Sequence, residues 1–277
     1  MERFTIDARG MRFDAIADGP ADGPLVVLLH GFPESKAEWT RVMPVLAAAG
    51  FRAMAFDQRG YSRGARPEGV DAYHHVQLGD DVVAVAAEIG HDRFHLVGHD
   101  WGALVAWSLA GLRPETVASL TIVSVPHPRA FAGARAHDPD QRERSSYIEG
   151  FRVADEPEAA FLADDADMLR RAFAELDPEL ASEHVRVLTD PGAMTATLNW
   201  YRAWDRSLDH TPRITVPTLF VWSDDDVALG RTAAEATAGF VEGPYRFEVF
   251  PGLSHWIPEL APDRLGALIV EQASAHP

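Results

Sequence analysis

Phe94-His95-Leu96-Val97-Gly98-His99-Asp100-Trp101-Gly102-Ala103 runs from an apolar, strand-like segment through Gly-X-Asp-X-Gly into a helix-like segment. A strand-to-helix turn this tight strains its central residue and projects that side chain outward, and the flanking glycines remove the Cβ atoms that would collide. The central position of such a turn is a nucleophile's, and here Asp100 takes the place of the more general serine. A carboxylate nucleophile points to attack on an sp³ carbon and a covalent ester. The commoner use of a lone Asp in a glycine-rich turn is to cap the next helix. The strand before Asp100 and the helix after it favour the nucleophile.

Outward from this turn, Leu25-Val26-Val27-Leu28-Leu29 and residues 51–56, 94–97 and 119–125 read as short apolar strands. Continuous apolar runs of that length suit parallel strands covered on both faces. Residues 38–49, 76–89 and 104–112 carry apolar side chains at helical spacing, with Gly50 and Gly90 placed as C-terminal caps. The stretch up to Asp18 reads as a hairpin-like pair of strands. After Pro126-His127-Pro128 the strand signals vanish until about His210, replaced by acidic, Arg-rich and Ala-rich helical segments punctuated by Asp-Pro steps. The strand rhythm returns with Thr218-Leu219-Phe220-Val221-Trp222 and Phe247-Glu248-Val249-Phe250, and a last helix is expected over 262–273. The expected architecture is an α/β core of residues 1–126 and 211–277, its mostly parallel central sheet flanked by helices. A helical lid, 127–210, would cover the C-terminal strand ends, where open α/β sheets bind ligands.

Composition narrows the function. Asp and Glu number 42 against 25 Lys and Arg, a net charge of −17, and no basic block offers the phosphate-neutralising footprint of a nucleic-acid or anionic-membrane binder. At 47% hydrophobic and 24% charged residues the chain is an ordinary globular one. With no cysteine it has no disulfide, thiolate nucleophile or cysteine-held metal. The first residues carry neither a basic n-region nor an apolar h-region, so no signal peptide is expected, and a cytoplasmic setting is.

The elbow, together with His30-Gly31-Phe32-Pro33-Glu34-Ser35, Asp57-Gln58-Arg59-Gly60-Tyr61-Ser62 and Leu198-Asn199-Trp200-Tyr201-Arg202, resembles the epoxide hydrolases of the α/β-hydrolase superfamily over nearly the whole chain. The resemblance implies an oxyanion hole from the backbone N–H groups of Phe32 and Trp101, and a cis peptide before Pro33. His255, in Phe250-Pro251-Gly252-Leu253-Ser254-His255-Trp256 after the last strand, is where the fold places its general base. In Trp222-Ser223-Asp224-Asp225-Asp226 the family pattern Trp-Gly-X-X-Asp selects Asp226 as the acid orienting that histidine, leaving Asp224 and Asp225 as turn formers. No carboxylate follows the 119–125 strand, the alternative place for the acid in some dehalogenases.

Tyr147 and Tyr201 match the lid tyrosines of epoxide hydrolases, Tyr201 within the five-residue match and Tyr147 with flanks, Glu149 and Gly150, that depart from it. A neutral phenol donates to an epoxide oxygen and protonates the alkoxide as the ring opens. The resemblance therefore implies conversion of a small apolar epoxide and water to a vicinal diol, with no cofactor and no metal. Phe32, Trp101 and Phe151 are expected to bind substrate, and Phe151, Phe161, Met168 and Leu169 suggest an apolar pocket that is equally readable as lid core. A dehalogenase would use the same Asp nucleophile and histidine, but haloalkane dehalogenases commonly carry Asn where Phe32 stands. A non-catalytic ligand binder of the same fold is the reading from another class. Monomer and homodimer are both open.

Overall fold

The structure, a computed structural model, describes residues 1–277. Eight strands form one sheet in the order β1-β2-β4-β3-β5-β6-β7-β8. They are β1 (Glu2–Ala8), β2 (Met11–Asp18), β3 (Leu25–Leu29), β4 (Arg52–Phe56), β5 (Phe94–His99), β6 (Val117–Val123), β7 (Thr218–Ser223) and β8 (Tyr245–Phe250). β1 and β2 pair antiparallel, as does β2 with β4, and every later pair is parallel. The strand order reverses at β3, which has β4 on one side and β5 on the other. Such a switch point opens a crevice at the carboxyl ends of the strands, and the loops leaving β3 and β5 carry Phe32 and Asp100.

β3 is buried along its whole length and divides its side chains between two cores. Leu25, Val27 and Leu29 face one, while Val26 and Leu28 face the other, the period of two that a strand imposes. The first core takes α2 (His75–Glu88) and α3 (Trp101–Leu112); the second takes α1 (Met43–Ala48) and α12 (Pro262–Ser274). α3 is apolar nearly all round because it is buried nearly all round. Gly50 and Gly90 stand just past α1 and α2 with φ of +90° and +89°, the left-handed stop that favours glycine.

Residues 38–49 are not one helix. A 3₁₀ segment, Lys36–Arg41, precedes α1, because Pro44 has no N–H to give the carbonyl of Thr40 and so starts a helix rather than continuing one. β6 also ends at Val123, where Ser124 turns out of the sheet with φ +67°.

Between β6 and β7 lie only helices: α4 (Pro128–His137), α5 (Pro139–Arg144), α6 (Tyr147–Phe151), α7 (Glu156–Ala172), α8 (Pro178–Leu188) and α9 (Ala193–Arg202), with a 3₁₀ turn at Leu208–His210. α7 is interrupted where Asp164, Asp165 and Ala166 adopt left-handed φ of +50°, +57° and +59°. Leu169 beyond this break is fully buried core, whereas Met168 is exposed, so neither lines the cavity. α10 (Arg231–Ala236) follows β7 and α11 (Ile257–Leu260) precedes α12.

The elbow is tight enough that glycine is required. A Cβ on Gly102 would lie 2.2 Å from the Leu29 carbonyl oxygen, and one on Gly98 would lie 2.3 Å from the Gly102 carbonyl oxygen. Both neighbours are backbone of the strand-helix junction and cannot rotate away. Gly102→Ala is therefore expected to cost about 3 kcal/mol, lowering the melting temperature by roughly 6–12 °C. A calorimetric Tm equal to that of the natural protein would show that the junction yields.

Candidate active site

Asp100 occupies φ +47°, ψ −120° between β5 and α3. Few non-glycine residues tolerate such a backbone, and strain of this kind persists only where its surroundings impose it. Its Oδ1 accepts the Phe32 N–H at 2.8 Å. The Trp101 N–H, first in α3, has no intrahelical acceptor. These are the two donors the sequence indicates for an oxyanion hole. Asp100 lies low in its pKa range: burial would raise it, and hydrogen bonding to His255, the His255 and His99 charges and the Phe32 N–H together outweigh that effect.

The Asp57–Ser62 motif holds the Phe32 loop in place. Gln58 donates its backbone N–H to His30 Nε2 at 3.1 Å and its amide to the His30 carbonyl at 2.7 Å. Tyr61 donates its hydroxyl to the Gly31 carbonyl at 3.2 Å. Asp57 pairs with Lys36, Arg59 forks onto Asp81, and Trp200 Nε1 of α9 donates to the Arg59 carbonyl at 2.9 Å. The Phe32–Pro33 peptide is cis.

His255 lies between two carboxylates. Its Nδ1 is 2.7 Å from Asp226 Oδ2 and its Nε2 is 3.6 Å from Asp100 Oδ2. Asp226 is fixed in turn by the N–H groups of Ala228 and Leu229, which donate to its Oδ1 at 2.8 and 3.0 Å. Asp224 instead accepts the Gly252 N–H. Burial alone would depress the His255 imidazolium, but the Asp226 charge and hydrogen bonds with Asp100 and Asp226 lift its pKa to about 10.

Asp100 and His255 open onto a cavity of about 430 Å³ walled by Phe32, Phe151, Phe161, Tyr147, Tyr201 and Trp256. Phe32 meets Phe151, Phe161 and Tyr201 edge-to-face at centroid distances of 5.7, 5.6 and 5.4 Å, the geometry in which aromatic quadrupoles attract. The Tyr147 and Tyr201 rings are 6.5 Å apart. Burial, with help from the Asp100 charge, pushes both phenols above their usual pKa, so both keep their protons. Trp101 packs its ring 5.0 Å from that of Tyr201. A larger polar cleft of about 720 Å³, lined by His74, Arg135, Arg152, Arg202 and Asp205 among others, contains none of these groups.

Sequence reasoning missed a buried charged cluster behind His255. His99, the residue before Asp100 in the elbow, has Nδ1 3.2 Å from both Glu34 Oε2 and Glu38 Oε1 and Nε2 3.0 Å from the His255 carbonyl oxygen. His184 of α8 reaches in from the helical segment to accept the Ser35 N–H at 3.0 Å and lies 3.7 Å from Glu259. Burial would neutralise His99, yet Glu34 and Glu38 hold it charged. Burial and Glu34 raise Glu38 well above the carboxylate range and Glu259 to about 7. The spacing of Glu34 and Glu38 just after the Phe32–Pro33 step was the available signal.

Two groups bring metal-type donors within 4.8 Å of one another: Glu34, Glu38 and His99, and His74, His75 and Asp205. In the second group the Ser207 hydroxyl lies among the donors, 3.1 Å from His74 Nε2, 2.9 Å from His75 Nε2 and bonded to Asp205, so those atoms already satisfy each other.

The raised pKa of His255 makes an expectation for pH. A folded-state value of about 10 against an ordinary 6.5 contributes stability that is fully present below 6.5 and is lost as the pH climbs through 10. Asp226→Asn removes the charge chiefly responsible, so the His255 midpoint in an NMR titration should fall by more than one pH unit, on the order expected for a close opposite charge. The alkaline loss of stability should shrink with it. An unchanged midpoint would remove Asp226 as the partner of His255.

A family model described as alpha/beta hydrolase fold matches residues 24–262. The chain is 37% identical over 274 residues to the AB hydrolase superfamily protein YfhM of Bacillus subtilis, with 96% of each chain covered. It is 31% identical to epoxide hydrolase A of Mycobacterium tuberculosis, over 96% of this chain and 95% of that protein. The crystal structure of epoxide hydrolase A from Mycobacterium thermoresistibile superposes with a TM-score of 0.86 at 29% identity, covering 99% of this chain and 98% of that one. The chain with this aspartate elbow belongs to the α/β-hydrolase fold family, in its epoxide hydrolase branch.

Proposed function

We propose that this protein hydrolyses apolar epoxides to vicinal diols through a covalent ester on Asp100, with residues 127–210 acting as a lid over the reaction. The observation that carries this reading is the convergence of two protonated phenols, Tyr147 and Tyr201, on the apolar cavity that holds Asp100 and His255. A strained ether needs its oxygen protonated as it leaves; a halide needs no proton. Phe32 offers only a ring where a second halide donor would stand.

In the first step an Asp100 oxygen attacks an epoxide carbon, the ring C–O bond breaks, and a phenol passes its proton to the nascent alkoxide. The ester forms as the negative charge of Asp100 disappears, which removes one of the two carboxylates that keep His255 protonated. The imidazolium then returns a proton to the phenolate and becomes a base. His255, held by Asp226, takes a proton from water, and the hydroxide attacks the ester carbonyl while the Phe32 and Trp101 N–H groups hold the oxyanion. Collapse breaks the bond from the carbonyl carbon to the alkyl oxygen. The diol leaves with the acid proton, restoring the Asp100 carboxylate and the protonated His255.

Two measurements test this. His255→Gln should still be alkylated but not hydrolysed, so intact-mass spectrometry after adding styrene oxide should find the protein heavier by one epoxide on Asp100; normal turnover by that variant would exclude His255 as the base. Tyr147→Phe and Tyr201→Phe should each slow alkylation by roughly the 10²–10⁴-fold of a lost general acid or less, since one phenol partly replaces the other, and the double variant should lose far more. Wild-type epoxide opening by the double variant, followed by stopped-flow tryptophan fluorescence, would remove the ground for preferring an epoxide over a halide.

A further inference from the structure

Gln141 of α5 is fully buried and makes three hydrogen bonds to two different parts of the site. Its amide oxygen accepts the Gly230 N–H at 2.8 Å, and its amide nitrogen donates to the Ala228 carbonyl at 2.9 Å and the Ser145 hydroxyl at 2.8 Å. The backbone partners fix the amide's orientation, since an N–H only donates and a carbonyl only accepts. Ala228 and Gly230 belong to the turn that carries Asp226, and the Ala228 N–H is itself a donor to Asp226. Ser145 stands two residues before Tyr147, the first residue of α6. Arg144, at the end of the same helix, adds a bond from Nη1 to the Asp226 carbonyl at 2.6 Å.

We propose that Gln141 is a positioning residue that locks the acid turn 226–230 to the helix start bearing Tyr147, so that the groups serving alkylation and those serving hydrolysis are aligned through one buried amide. This rests on the epoxide-hydrolase reading. From inside the core the acid turn is held by Asp226 itself and by Trp222 Nε1, which donates to the Leu229 carbonyl at 3.1 Å; neither reaches Tyr147. No other side chain matches the role at this position. Glutamate keeps the length and the acceptor but, when ionised, lacks both donors, and leucine fills the space with neither.

The test compares Gln141→Leu and Gln141→Glu with the natural protein. Stopped-flow tryptophan fluorescence with styrene oxide separates formation of the ester from its hydrolysis. Gln141→Leu should slow both steps by roughly 10–100-fold, the loss expected from a displacement on the order of 1 Å. Gln141→Glu, retaining the bond from Gly230, should fall between. An NMR titration of His255, which needs no substrate, should give a lower midpoint in Gln141→Leu, because the Asp226 carboxylate is less firmly held against the imidazole. A folded Gln141→Leu with natural rates and an unshifted His255 midpoint overturns the proposal, as does a change confined to the melting temperature. If the natural protein yields no diol from any epoxide, the functional reading fails instead, and the His255 titration alone decides the positioning role. Should Gln141→Leu not fold, Gln141→Glu carries the test with the same readouts, and natural rates together with an unshifted His255 midpoint in that variant overturn the proposal.

Discussion

The close approach of three backbones at the elbow governs the rest of the structure. Gly102 at the start of α3 rests against the Leu29 and His30 carbonyls at the end of β3, and Gly98 rests against Gly102. Only with both Cβ atoms absent does α3 start within van der Waals contact of β3. That contact brings the Phe32 N–H to the Asp100 carboxylate, and it turns Asp100 into a backbone conformation that lifts its side chain out of the sheet. A carboxylate standing out from a buried strand end would ordinarily be solvated; here the aromatic wall around Phe32 takes the place of water. The position of the Asp100 carboxylate and its apolar surroundings thus arise from one steric condition.

Behind that wall the chain does something its composition gives no hint of. Glu34, Glu38 and Glu259 are buried together with His99 and His184, although taking even one carboxylate out of water is costly unless it is paired. His99 resolves part of the conflict by staying charged between Glu34 and Glu38, and protonation of Glu38 and Glu259 resolves more. Several of these oxygens, both of Glu34 and both of Glu259 among them, have no protein hydrogen-bond partner, a pattern suited to ordered water. The cluster ties the Phe32 loop, the residue before Asp100, the carbonyl of His255 and helix α8 into one electrostatic unit, so Asp100 and His255 rest on common support.

The features legible in the sequence were those written in local rules. Apolar runs such as residues 25–29 identify buried parallel strands because both faces are covered, and Gly50 and Gly90 mark helix ends because they need positive φ. The candidate catalytic groups were legible for the same reason: Asp100, Asp226 and His255 each stand just past a strand end, where this fold gathers its functional loops. Contacts between segments distant in sequence were not. Nothing near Gln141 indicates that it will meet Gly230, nor anything near His184 that it will meet Ser35. The reversal of α7 at Asp164, Asp165 and Ala166 is equally hidden, since two of the three are residues a helix surface accepts. Beyond it Leu169 faces the core while its neighbour Met168 is exposed.

Under the proposed mechanism the same histidine is asked to be two things, and its neighbours explain how. Before reaction His255 lies between Asp100 and Asp226, and two negative charges around one buried imidazole favour the imidazolium. An imidazolium cannot act as a base, but the proposed alkylation would need none; its charge instead helps keep Asp100 ionised. In the proposed mechanism esterification would cancel the Asp100 charge 3.6 Å from Nε2 while Asp226 still holds Nδ1, which favours loss of the Nε2 proton at the stage when a base is required. In the proposed mechanism the arrangement would couple the protonation state of His255 to the covalent state of Asp100.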